Sequence, residues 1–220
     1  MRKIRTLRLV SAIGTIALAL SSPPKMLAAA TVPSAEEILQ RMRMMIAGIP
    51  HMVSADAEFR VRVIRSLREP PDCVFRGTVK VVDRHPTVSI GEQTTGLFCW
   101  FVNRYVIGRR LEATEDLENF LSRFKFDVLG EKLVGNERYY LVEGRATDPK
   151  NDPGKMIGWI DFDRGLLVEG TVEYSWGRID TEQSYAQMDR IWMPTYQYLY
   201  TPRFDVSMEI VYSNFRFSSQ

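Results

Sequence analysis

Residues 156–176 read MIGWIDF, then DRG, then LLVEGTVEYSW. Two apolar runs, Met156 to Phe162 and Leu166 to Trp176, flank Asp163-Arg164-Gly165. A short turn-forming tripeptide between two such runs predicts a β-hairpin. The same pattern continues in both directions. Towards the C-terminus, runs at 179–188, 192–200 and 204–217 are punctuated by Gly177, Asp189-Arg190 and Thr201-Pro202. Towards the N-terminus, residues 126–134 and 137–144 flank Gly135-Asn136, and 146–155 (ATDPKNDPGK) is a loop of turn formers.

Further upstream the alternation is at its clearest. Ala55, Ala57, Phe59, Val61 and Val63 alternate with Asp56, Glu58, Arg60 and Arg62, the pattern of a half-buried strand. After a turn at 68–72, Cys73, Phe75, Gly77, Val79 and Val81 repeat it. A turn at 83–86 leads to a short strand at 87–90. Residues 97–106 (LFCWFVNRYV) are apolar on both parities, which predicts a strand covered on both sides. The total is about 11 strands, joined almost throughout by hairpin-length connections. The predicted architecture is an antiparallel meander, and so many strands in one sheet must curl or close.

Two helices interrupt the strands. Ser34-Ala35-Glu36-Glu37 is a capping box, and Ile38, Leu39, Met42, Met45, Ile46 and Ile49 follow at helical spacing until Pro50. A second helix is predicted with Thr114 as its cap and Leu117, Phe120, Leu121 and Phe124 as its apolar stripe.

The first 30 residues form a separate segment. A basic stretch to Arg8 precedes an apolar run at 9–20 (LVSAIGTIALAL), then Pro23-Pro24, then Ala28-Ala29-Ala30. This is the layout of a secretory signal peptide cleaved near Ala30, and the apolar run is short for a membrane span. The expected organisation is a signal segment at 1–30 and one domain at 31–220. The expected location is the periplasm, and without a Cys at the cleavage point the protein is not expected to carry a lipid anchor.

Removing that segment changes the charge. It holds five basic residues and no acid, so 24 basic and 27 acidic side chains remain, a net charge of about −3. Binding nucleic acid through phosphate neutralisation needs a basic field, which this chain lacks. The two cysteines, Cys73 and Cys99, fall on the apolar parity of their predicted strands, beside Phe75 and Phe101. In an oxidising compartment they form a disulfide or remain two buried thiols; spacing does not decide between these.

Catalytic and metal-binding motifs are missing. There is no GxSxG, GxxxxGK[ST], CxxC or HExxH. His51 and His85 sit beside turns, and Asp161 and Asp163 flank a turn in which Asp is a usual turn former. No enzyme activity, cofactor or metal is expected. Trp192, Tyr196, Tyr198 and Tyr200 share one parity, with Pro194 between them, and form a candidate docking ladder.

The arrangement from Ala35 to Phe217 resembles the LolA/LolB superfamily of periplasmic lipoprotein carriers, which includes the RseB sensor domain. The residues that carry the resemblance are Gly158-Trp159-Ile160-Asp161 before a tight turn, Arg138-Tyr139-Tyr140-Leu141-Val142, and Ile210-Val211-Tyr212-Ser213-Asn214-Phe215. The resemblance implies a half-closed antiparallel β-barrel with helices forming a lid. It also implies acyl chains or a lipoprotein lipid moiety held between the two, and a membrane-bound donor or acceptor protein. The family's lid-holding barrel arginine has no match here, since Arg60 and Arg62 lie on the polar parity. The alternative that the resemblance implies is an RseB-like sensor that binds a lipid or protein partner without transport.

An acyl chain gains about 0.8 kcal/mol per CH₂ on leaving water, so a carrier needs an apolar wall with few polar anchors. On the inward parities the candidate lining residues are Phe59, Val61, Phe75, Val79, Phe101, Tyr174, Trp176 and Met208. Met42, Met45 and Phe120 would face them from the helices. Parity marks these side chains as inward; it leaves open whether they line a cavity or fill a core.

Overall fold

The structure is a computed structural model, and it describes residues 32–64, 72–83, 85–96, 99–100 and 117–218. The expected signal segment at 1–30, Phe101 and the predicted cap Thr114 lie outside the described residues.

Among the described residues, ten strands form one antiparallel sheet. They are β1 (Met52–Val63), β2 (Cys73–Val82), β3 (His85–Gln93), β4 (Phe124–Val134), β5 (Glu137–Ala146), β6 (Lys155–Asp161), β7 (Leu166–Tyr174), β8 (Gly177–Met188), β9 (Ile191–Thr201) and β10 (Val206–Ser218). Their order is β3-β2-β1-β10-β9-β8-β7-β6-β5-β4. Every neighbour is a hairpin partner except β1 and β10, which join the two meanders. β3 and β4 end the row without pairing to each other, so the sheet stays open.

The expected eleventh strand, at 97–106, is not seen. Cys99 and Trp100 are helical, with the Trp100 N–H donating to the Gly96 carbonyl at 2.9 Å, and the rest of that run lies outside the described residues. An apolar run of this kind does not distinguish a buried strand from a buried helix, and here the helix prevailed. Cys99 still reaches the core, through a disulfide to Cys73 with the Cα atoms 5.4 Å apart.

Register shows how the sheet coils. Pairing carries one inward row across nine strands: Cys73, Val61, Met208, Leu199, Thr181, Gly170, Gly158, Val142 and Val128. The middle of this row is small. A Cβ on Gly158 would lie 2.5 Å from the Leu167 Cδ1, and one on Gly170 would lie 3.1 Å from the Ile157 carbonyl oxygen. Register shifts in the β1–β10, β2–β3, β4–β5, β6–β7 and β8–β9 pairs add local bends.

Helix α1 (Ala35–Ala47) starts with the expected capping box: the Glu37 N–H donates to Ser34 Oγ, and the Ser34 N–H to Glu37 Oε2. Its Ile38, fully buried, packs with Tyr140, Val142, Ile160 and Phe162 on the inner face of the sheet. Its other landing point is the β6–β7 turn. Gly165 there has φ +69, and a Cβ on it would lie 2.6 Å from the Arg41 carbonyl oxygen. The Arg41 guanidinium covers the Phe162 ring at 4.0 Å. Helix α2 (Leu117–Ser122) is short and brings Phe120 within 5.2 Å of Phe124 at the start of β4.

Two predictions follow from this packing. Gly165→Ala should cost about 1–2 kcal/mol from backbone strain alone and should speed amide hydrogen exchange across residues 35–47; unchanged exchange there would show that α1 does not rest on this turn. The disulfide encloses a 26-residue separation, so Cys73→Ser with Cys99→Ser should cost about 3 kcal/mol in urea unfolding.

Candidate ligand-binding face

The inner face is built from the inward parity of each strand. On β1, β2 and β10 it is apolar: Phe59, Val61, Cys73, Phe75 and Ile210 are buried together with Ala57 and Cys99. Val79, Leu199, Met208 and Tyr212 pack against this cluster and remain partly open. On β5 and β6, with α1, a second cluster gathers Ile38, Tyr140, Val142, Ile160 and Phe162, edged by Met42, Phe126, Val128 and Leu167.

The candidate lining residues therefore divide. Phe59, Val61 and Phe75 are sealed inside the first cluster, and Val79 and Met208 lie on its margin. Met42 borders the second cluster. Met45 is half-buried and Phe120 packs beside Phe124, both apart from the two clusters. Tyr174 is inward by register but stacks on Trp176 at 5.1 Å, and Trp176 stacks on Phe204 at 5.8 Å. Trp176, expected on a strand, lies in the β7–β8 turn, where the Arg203 guanidinium donates to its carbonyl. Phe101 lies outside the described residues.

Between the two clusters one inward row turns polar, beside Leu199 on β9 and Ile179 on β8. Gln197 stands opposite both Ile210 and Gln183, so the row Phe75, Phe59, Ile210 turns into amides on β9 and β8. The Tyr212 hydroxyl donates to Gln197 Oε1 at 2.7 Å, and Gln197 Nε2 donates to Gln183 Oε1 at 3.2 Å. The Tyr185 hydroxyl reaches Gln183 Oε1 at 2.7 Å and the Leu167 carbonyl at 2.9 Å. An apolar-residue search passes over this band. Its signal in the sequence is a parity contrast: Ile179, Thr181, Gln183 and Tyr185 are uncharged, while the alternate Asp180 and Glu182 are acidic.

The outer face is different in kind. Tyr196, Tyr198 and Tyr200 pair with Val211, Glu209 and Ser207, opposite in parity to the core. Trp192 does not extend that ladder. The register shift between Ser184 and Tyr185 sets it opposite Gln187, and the Arg164 guanidinium lies 4.9 Å from its ring centroid. Arg60 and Arg62 face outward among Glu58, Asp72 and Glu209. A groove on this side places Asp56, Glu58, Arg76 and Glu92 beside Ala57 and Val211, so a hydrocarbon chain there would meet charged groups. Asp161 serves its turn, accepting from the Asp163 and Arg164 backbone N–H groups at 3.1 Å each.

Burial pushes the Tyr185 and Tyr212 hydroxyls above the ordinary tyrosine value. A hydrogen bond to Glu137 first, then burial, pushes Tyr139 up to about 12. A raised folded-state pKa contributes stability that is fully present below the unfolded value of about 10 and is lost as pH rises towards the folded one. The urea midpoint should therefore fall above about pH 10, with a shallower fall in the Tyr185→Phe, Tyr212→Phe variant. An identical slope in that variant would remove the inner tyrosines as its cause.

No protein-family model matches the chain, and no curated protein matches it. Its likeness is to solved structures. A DUF1329 family protein from Desulfovibrio piger matches with TM-score 0.57 and 15% identity over 86% of this chain and 94% of that one. A putative outer membrane lipoprotein-sorting protein domain from Vibrio parahaemolyticus matches with TM-score 0.57 and 13% identity, over 83% and 92%. A LolA superfamily protein from Nitrosomonas europaea matches with TM-score 0.54 and 12% identity, over 86% and 96%. The chain has a LolA-like fold with its sheet left open.

Proposed function

We propose that this chain is an exported, non-enzymatic binding protein that holds acyl chains against the inner face of the open sheet, in the manner of a lipoprotein-sorting carrier. The observation that carries the reading is the inner face itself. Ten strands coil around side chains that are apolar at both ends of the row, and a Met-bearing helix lies on one of those ends. Two of the folds it resembles bear lipoprotein-sorting and LolA superfamily names, which supports the same class of ligand.

The physics fits this role. A carrier hides hydrocarbon from water and must also release it, so attraction should come from area rather than from fixed charge. The partly buried Val79, Leu199 and Met208 offer such area, and methionine adapts to chains of different shape. Helix α1 is held by two buried side chains, Ile38 and Leu39, by Met42 at the cluster margin, by one close backbone approach and by a cation–π contact, a modest seat for a cover that has to lift. In this reading residues 1–30 are the export signal, residues 31–220 act in the periplasm without a lipid anchor, and a membrane-bound protein delivers or receives the cargo.

The test is a chain-length series of fluorescent fatty acids titrated into detergent-free protein beginning at Thr31. Affinity should rise about fourfold per added CH₂ until the face is filled. Organic extraction of protein purified from periplasm should release acylated species. Affinity independent of chain length, together with a clean extract, would sink the reading.

A further inference from the structure

The polar band between the two apolar clusters is out of place on a surface meant only for hydrocarbon. Gln183, Gln197, Tyr185 and Tyr212 face inward on β8, β9 and β10. Tyr212 packs against the cluster of β1, β2 and β10, and the carbonyl that Tyr185 reaches belongs to Leu167, which packs against the cluster under α1. The band therefore joins the two clusters.

Some of its amide hydrogens are unspent. Two primary amides and two hydroxyls carry more hydrogens than their contacts use. The single Tyr185 hydrogen serves only one of its two acceptors, Gln183 Oε1 or the Leu167 carbonyl. Gln197 Nε2 spends one hydrogen on Gln183, and Gln183 Nε2 has no acceptor among the described residues. Turning the amides over reverses individual bonds but still leaves amide hydrogens unspent. A hydrocarbon chain laid across unpaired amide N–H groups would strip them of water and offer no acceptor in its place. An acceptor placed there removes that loss. The acceptor of an acylated molecule is its ester or amide carbonyl, with hydrocarbon on either side.

We infer that the Gln183–Gln197 band, with Tyr185 and Tyr212, is a carbonyl-recognition site that registers an acyl ester between the two apolar clusters, so that the preferred ligand is a diacylated ester rather than a bare hydrocarbon or a free chain. This rests on the acyl-binding reading above and adds to it the position and chemistry of the head region. A bound diester then has its chains on the Met208 and Val142 sides and its carbonyls at the amides.

The experiment compares two probes on the full mature chain: diphenylhexatriene, a fluorescent hydrocarbon with no acceptor, and a short-chain diacylglycerol that competes with it. Gln183→Met with Gln197→Met keeps side-chain size and removes the donors. The expected result is diphenylhexatriene affinity unchanged within about twofold and diacylglycerol affinity down about tenfold, or 1.4 kcal/mol. If the variant binds both probes as the wild type does, the band is structural only and the inference falls. If the wild type binds neither, the acyl-binding reading falls and takes this one with it. If the double variant loses both probes, Tyr212→Phe decides: a selective loss for the diacylglycerol sustains the site, and an equal loss ends it. A diacylated lipopeptide as second competitor identifies the bearer of the ester: displacement points to a lipoprotein and its absence to a free glyceride, with the carbonyl assignment standing in both.

Discussion

The inner face depends on the absence of side chains at Gly158 and Gly170, paired within the inward row that crosses nine strands. Leu167 folds over this gap, and its Cδ1 would lie 2.5 Å from a Cβ on Gly158. Gly144 repeats the device one row away, where Phe126 and Met156 close over a position with no room for a methyl group. Large side chains on one strand thus lie across glycines on the next. The sheet can coil tightly at β5 to β7 while its ends stay apart, which separates the two apolar clusters and leaves the intervening strands for polar groups.

Much of this was legible in the sequence because the strands are solvated on one side. The alternation of Phe59 and Val61 with Arg60 and Arg62 set the parity of β1, and cross-strand register carried the same face to Phe75, Ile210 and Met208. Hairpin turns at Gly135-Asn136 and Asp163-Arg164-Gly165 gave the meander its order. Legibility ended where local pattern and tertiary context part. Residues 97–106 are apolar on both parities, and such a run does not state its own period; at Cys99 and Trp100 the answer is helical. Trp192 and Tyr196 share a sequence parity, but a bulge at the β8–β9 pair puts them out of step, and Pro194 was its only advance sign.

The candidate site shows the same limit from another angle. Inward parity identified Phe59, Val61 and Phe75 correctly as inward, but packing made them fully buried. The half-open positions, Leu199 and Tyr212 among them, are less conspicuous in sequence because their burial is set by neighbours that arrive from distant strands. Gln183 and Gln197 escaped notice because a glutamine on a strand ordinarily marks the wet face. Only register placed them opposite each other and in line with Ile210.

The junction of β1 with β10 has a consequence for assembly. Each meander closes through neighbours along the chain, but the seam between them joins residues such as Asp56 and Asn214, separated by 158 positions. Contacts of that separation form late and slowly, since the loop entropy is spent before they repay it. Until β10 has been synthesised, the edge of β1 that it covers stays unpaired, in addition to the β3 edge that stays open in the finished sheet. A chain of this topology cannot complete its sheet while its later strands are still being made, so the β1 edge waits for the final strand of the meander.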